Sequence, residues 1–236
     1  MDLAWVCGVD VGGINSLSFV AWLDTGTREF VLDHYVPGAG GSAPSLPPLP
    51  AIPAFHGGVD CYAFDCPQGL PKLGFGEKRR VCDRAADTPT RIMPLHGLNS
   101  YSGPYASLIQ VGVRLFATAV SSGQAQLYGY PSSNVARPTI CETYPRKILK
   151  DSFGFSSIPS KRNKPYAYVN DVWKKLQGLG YACRGVLRPT VDQVDAMLCA
   201  VAAEHLRKGQ IRALGDPPIW DPQENLFREG YIVVPR

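Results

Sequence analysis

Several common signatures are missing from this 236-residue sequence. No apolar run approaches the ~18 residues of a membrane span, and the start Met1-Asp2-Leu3 lacks the basic stretch of an export signal, so a cytoplasmic chain that avoids the membrane is expected. None of the seven cysteines stands in a Cys-x-x-Cys spacing and there is no His-x3-His, which disfavours zinc. Their odd number, and the placement of most in apolar runs, suits free core thiols in a reducing compartment. The motifs GxxxxGK[ST], GxSxG and HExxH are absent too. Charge is sparse: 19% of residues are charged against about 25% in average domains. The 24 Lys and Arg exceed the 20 Asp and Glu by only four, too few for a polybasic protein. Proline (21) and glycine (24) are plentiful instead, which fits one compact domain over residues 1–236 with substantial ordered loops.

Hydrophobic patterning supplies the elements. Ala4 to Asp10, Ser16 to Leu23 and Glu29 to Val36 read as three strands, the last two joined by a hairpin turn at Asp24-Thr25-Gly26-Thr27. Six prolines and three glycines between Pro37 and Phe55 exclude a helix and predict an extended surface insertion over 37–57. Gly58 to Asp65 is a fourth strand and Thr139 to Glu142 a fifth. The stretch Gly76 to Arg91 is basic and partly helical; Pro104 to Val120 has apolar residues at 108, 111, 115 and 119, a helical period, and Val169 to Leu179 forms another helix. Val191 to Lys208 is the best-marked helix, with a capping box at Thr190 and Gln193 and Gly209 beyond its end. Glu229 to Pro235 ends the chain as a short strand. The expected fold is α/β: a mixed five-stranded sheet, antiparallel in its first hairpins and parallel later, flanked by helices.

Three strands end in acids: Asp10, Asp65 and Glu142. In an open α/β sheet the carboxyl ends of parallel strands line the ligand crevice, so the three are expected to converge. Asp192 and Asp195 are neighbours on one face of the last helix. Asp195 falls inside that helix's apolar arc, where an ionised carboxylate needs a partner. Acids clustered this way repel one another, and hard divalent cations keep them ionised, which points to Mg²⁺ or Mn²⁺ and to phosphodiester hydrolysis. The plainer alternative is that the strand-end acids cap turns and that Asp192 and Asp195 answer the helix dipole.

These residues also carry a resemblance. Asp10, the run Ala63-Phe64-Asp65-Cys66-Pro67-Gln68-Gly69-Leu70-Pro71, Arg80-Val81-Cys82-Asp83-Arg84, Glu142-Thr143-Tyr144-Pro145, Asp192-Gln193-Val194-Asp195-Ala196-Met197 and Glu229-Gly230-Tyr231-Ile232 together resemble, in this order, the family called domain of unknown function 429. The resemblance spans nearly the whole chain, and that family is regarded as nucleases of ribonuclease H fold. The closing helix is also similar to that of Holliday-junction resolvases. The resemblance implies that Asp10 bridges two metal ions, that Asp65 is the fourth-strand ligand, and that Asp192 and Asp195 are helical ligands. The glutamate that ribonuclease H takes from its first helix has no counterpart here, where the Pro-rich segment intervenes, so Asp65 or Glu142 would complete the shell.

Nucleic acid, DNA or RNA, is the expected partner, and a homodimer is left open. Arg80, Arg84, Lys147 and Lys161 are candidate phosphate binders within two basic stretches that follow the fourth and fifth strands. Arg80 and Asp83 could equally form an ion pair that orients a site. Tyr101, Tyr105, Tyr128, Tyr130, Tyr144, Tyr166 and Tyr168 are candidates for stacking on bases, or ordinary core and rim residues. Two other functions compete: an actin-like ATPase, from Asp10-Val11-Gly12-Gly13 and the hairpin after it, and a binding module without catalysis on the same fold.

Overall fold

A computed structural model describes residues 5–14, 16–35, 49–50, 58–74, 78–89, 92–131 and 137–236. In chain order the elements are β1 (Trp5–Asp10), β2 (Ser18–Asp24), β3 (Glu29–Tyr35), β4 (Val59–Asp65), α1 (Val81–Ala86), α2 (Ala106–Ser121), β5 (Gln126–Leu127), β6 (Thr139–Thr143), α3 (Pro145–Asp151), α4 (Pro165–Gly178), β7 (Ala182–Cys183), α5 (Val191–Arg207), β8 (Ile211–Asp221) and β9 (Leu226–Pro235).

The strands form one mixed sheet in the order β7-β3-β2-β1-β4-β6-β9-β8, with β5 also paired to β6. The expected meander is present, β1 antiparallel to β2 and β2 to β3, and β1, β4, β6 and β9 then run parallel. Among the described residues there are nine strands rather than five. The largest addition is β8, which pairs antiparallel with the expected closing strand; that strand, β9, starts at Leu226, three residues before the expected Glu229. The edge strand β8 carries Pro217 and Pro218, which break the strand pattern in sequence but are tolerated because both fall in the register break between Asp216 and Ile219, where neither has a partner on β9. β5 and β7 are two residues each, too short for any periodicity.

The pleat divides the core between two faces. Val6, Ala21, Leu23, Cys61, Ala63 and Cys141 pack with α5, whereas Cys7, Val9, Tyr62, Phe64 and Ile140 pack with Val111, Leu115 and Phe116 of α2. Each buried leucine- or phenylalanine-sized side chain contributes about 1.5–3 kcal/mol. α5 lies very close to the sheet: a Cβ on Gly8 would stand 2.0 Å from the backbone nitrogen of Ala200 and 2.2 Å from the carbonyl oxygen of Ala196. Only glycine on the strand, facing small residues on the helix, permits that approach.

The capping box of α5 is formed: Thr190 Oγ1 accepts from the Gln193 backbone at 3.3 Å, and Gln193 Oε1 accepts from the Thr190 backbone at 2.8 Å. α2 starts at Ala106, not Pro104, because Tyr105 adopts a left-handed conformation (φ 59°, ψ 19°). α4 starts at Pro165, four residues before the expected boundary, with proline in the first turn, where its missing N–H costs nothing. The Pro/Gly-rich insertion 37–57 lies outside the described residues except Leu49 and Pro50. There Pro50 is buried and Leu49 packs on the α2 face, so at this point the chain is no free surface loop.

Candidate functional site

Period-two alternation decides which strand-end acids meet. Asp10 shares the parity of Val6 and Gly8, and Asp65 that of Cys61 and Ala63, so both side chains turn to the α5 face. They are register partners across the parallel pair β1 and β4. On α5, Asp195 precedes the Ala196 that touches Gly8, which sets its carboxylate over the ends of these strands. It is buried, and its two oxygens are matched: Tyr168 of α4 donates its hydroxyl to Oδ1 at 2.5 Å, and Lys161, from the loop before α4, pairs with Oδ2. The partner that its position in the helix required is thus supplied twice.

The charges act on one another. Burial holds the Asp10 carboxyl well above the ordinary range, and Asp195, Asp65 and, less strongly, Asp192 push it further, against the pull of Lys161. Asp65 is pushed up to about 7, by burial first, then by Asp195 and Glu142, with Lys161 opposing. Asp195 is raised by burial and held down by Lys161 and the Tyr168 hydroxyl. Lys161 in turn is raised by Asp195, Asp65 and Asp10, which outweigh the lowering effect of burial. Asp192 is exposed, one turn from Asp195, and acts on the cluster through space.

Glu142 does not join this group. It is in register with Phe64, one residue short of Asp65, so the pleat directs it to the opposite face. There Arg80, fully buried, donates to Glu142 Oε2 and Oε1 at 2.6 and 2.7 Å and to Asp83 Oδ2 and Oδ1 at 2.8 and 2.9 Å. The Gln68 backbone N–H and the Thr88 hydroxyl complete the two carboxylates, each at 2.9 Å. Among the described residues, Cys82, Asp83 and Glu142 are the group whose ligand atoms all lie within 4.8 Å of one another. Its cation is the Arg80 guanidinium, and burial keeps the Cys82 thiol protonated, so this is an ion-pair network rather than a metal site. Arg80, buried and fully engaged with two carboxylates, is therefore not available to phosphate.

A separate set of bonds from β9 fastens the loop that follows Asp65. Glu229 accepts from the backbone of Lys72 at 3.0 Å and of Val81 at 2.9 Å, and Arg228 donates to the Pro71 carbonyl at 2.8 Å. Gly230 (φ 131°) leaves space for Gln68, whose Nε2 a Cβ there would meet at 1.6 Å. The Glu229-Gly230-Tyr231-Ile232 motif is thus a clamp on Gln68, Lys72 and Val81.

A cleft of about 640 Å³ opens beside the acids. Asp65 and Lys161 line it, with Arg146, Arg162, Tyr105 and Ile158. Arg146 and Arg162 are exposed and form no ion pair among the described residues. Of the other candidate phosphate binders, Arg84 is exposed and Lys147 is paired with Asp151 at 3.3 Å, away from this cleft. Tyr168, a stacking candidate in sequence, is instead buried as the partner of Asp195. Its helical position facing α5 was the available sign. Gly12 and Gly13 have packing reasons to be glycine: a Cβ would fall 2.3 Å from the Leu17 carbonyl oxygen and 2.5 Å from Ser107 Oγ, respectively. All seven cysteines are free, and no helix among the described residues is long and apolar enough to cross a membrane.

Comparison with protein-family models, curated proteins and solved structures returned no match for this chain.

Proposed function

We propose that this chain is a divalent-cation-dependent nuclease built on a ribonuclease H-like core and akin to the domain of unknown function 429 family. The observation that carries the reading is the grouping of three carboxylates from β1, β4 and α5, of which Asp195 pairs with Lys161 and Asp65 lines a cleft whose Arg146 and Arg162 form no ion pair among the described residues. Burial and mutual repulsion hold Asp10 and Asp65 toward their protonated forms with Lys161 as the one nearby cation, and a hard divalent cation would let all three carboxylates ionise.

The donor set suits Mg²⁺ or Mn²⁺ in kind, since every group is a carboxylate oxygen. The arrangement is open: these oxygens are not all within 4.8 Å of one another, and Lys161 now serves as counter-ion. Asp10, Asp65 and Asp195 would hold the cation, with Asp192 at the exposed edge. A cation bound there would supply Lewis-acid stabilisation of a phosphate and a lowered pKa for attacking water. The chain's own residues do the rest. Arg146 and Arg162 receive backbone phosphates, Lys161 stands between phosphate and carboxylates, and the Arg80–Glu142–Gln68 network keeps the loop after Asp65 in place.

The test is a panel of labelled single- and double-stranded DNA and RNA incubated with Mn²⁺, comparing the wild type with Asp10→Asn. Melting temperature is recorded with and without the ion. The expected result is cleavage and Mn²⁺-induced stabilisation in the wild type, both lost in Asp10→Asn, whose metal-free stability is unchanged or higher because a repelling charge has gone. If Asp10→Asn keeps both the ion response and wild-type cleavage, the site is misassigned.

A further inference from the structure

The cleft is lined by apolar and basic groups together: Tyr105, Leu108 and Ile158 with Arg146, Lys161 and Arg162, alongside the acids Asp65, Asp83 and Glu142. Tyr105 is 51% exposed, and its ring and hydroxyl have no partner among the described residues. Its backbone is also unusual: a bulky residue at φ 59°, ψ 19°, in the left-handed region that favours glycine. The conformation ends the turn before α2 and projects the ring at the cleft that holds Asp65. No hydrogen bond or ring contact among the described residues accounts for an aromatic held in this conformation beside a carboxylate.

We infer that Tyr105 is a stacking platform for an unpaired nucleobase, so that the substrate is single-stranded nucleic acid or an unpaired segment of a larger one. This rests on the nuclease reading of the same cleft. Two features of the cleft carry it. The aromatic ring of Tyr105 and the cations Arg146, Lys161 and Arg162, which line one cleft with Asp65, match the two halves of a nucleotide, base and phosphate. A base inside a duplex has both faces covered by its neighbours, so a ring on the protein can stack only on a base that is splayed out or never paired. The volume of about 640 Å³ falls within the range of about 300–1,000 Å³ of pockets that enclose a small organic group, and a continuous double helix lies across such a recess instead of entering it.

The experiment is fluorescence anisotropy with end-labelled oligonucleotides in Ca²⁺ buffer. The probes are a deoxy strand, the matching ribo strand, a blunt duplex and an abasic strand of equal length. Wild type should bind at least one single strand about tenfold more tightly than the duplex. Tyr105→Gly should lose about tenfold on that strand and nothing on the abasic one, while Tyr105→Phe, which keeps the ring, retains wild-type affinity. Because glycine adopts this backbone without strain, Tyr105→Gly should melt no lower than wild type, which separates a binding role from a structural one. The inference is overturned if Tyr105→Gly binds the strand as wild type does, or if the duplex binds as tightly as the single strand. If the wild type binds no probe at all, the nuclease reading falls and takes this inference with it.

Discussion

Asp10 and Asp65 stand opposite each other as register partners at the carboxyl ends of β1 and β4, both on the face covered by α5. Two acids so placed cannot both ionise freely in a buried setting, and the charge of Asp195 adds to the conflict. Lys161 relieves it only in part. Measurable consequences follow for pH, packing and the neighbouring ion pairs.

The first concerns pH. The folded-state value of Asp65, about 7, lies above the ~3.9 of an unfolded aspartate, so the folded chain holds an extra proton between these values. This group's contribution to stability is therefore present below about pH 4 and lost as pH rises through about 7. Urea unfolding in EDTA across that window should show a decline that Asp65→Asn flattens. Mn²⁺-induced stabilisation should grow over the same window, because protons and the cation compete for one carboxylate. A wild-type profile unchanged by Asp65→Asn would count against the placement of this acid.

Lys161→Met should lower stability in EDTA by about 1 kcal/mol or more, since Asp195 keeps only its Tyr168 partner among three neighbouring acids. The Mn²⁺ response should become larger than in wild type, as the built-in counter-ion no longer competes. Melting curves at stepped Mn²⁺ concentrations test this, and a smaller response would mean that the lysine helps to hold the ion.

Arg80→Met should destabilise by about 3–5 kcal/mol by stranding two buried carboxylates. Arg80→Lys should rescue little, because one ammonium cannot reproduce a fork that serves Asp83 and Glu142 together. Glu142→Gln should likewise lose stability whether or not Mn²⁺ is present, the opposite of the behaviour expected for Asp10→Asn. Denaturant unfolding of the variants, with and without the ion, separates an ion-pair network from a cation site.

Gly8→Ala probes the helix that carries Asp195. The added methyl would lie 2.0 Å from the Ala200 backbone nitrogen, so α5 must move away from β1. A loss of at least about 1–3 kcal/mol is expected, together with a weakened Mn²⁺ response as Asp195 retreats from Asp10. Unchanged stability would show that the sheet yields instead of the helix.

Local pattern determined much of this protein. The first four strands, the meander, the capped helix over Val191–Arg207 and the need of Asp195 for a partner all follow from short-range periodicity and turn chemistry, which depend on residues a few positions apart. What only the tertiary structure decided is how strands align. The shared face of Asp10 and Asp65 follows from the register of β1 on β4 and from Gly8 and Ala63, two residues before them, facing α5. A shift of one residue in the β4–β6 register carries Glu142 away from the aspartates and into the grip of Arg80, 62 residues distant in sequence. The identity of the counter-ion was equally hidden: Lys161 reaches Asp195 across 34 residues through a loop that no periodicity describes. β8 was hidden by Pro217 and Pro218, which an edge strand with a register break accommodates and a regular central strand does not, so its reading required knowing where the sheet ends.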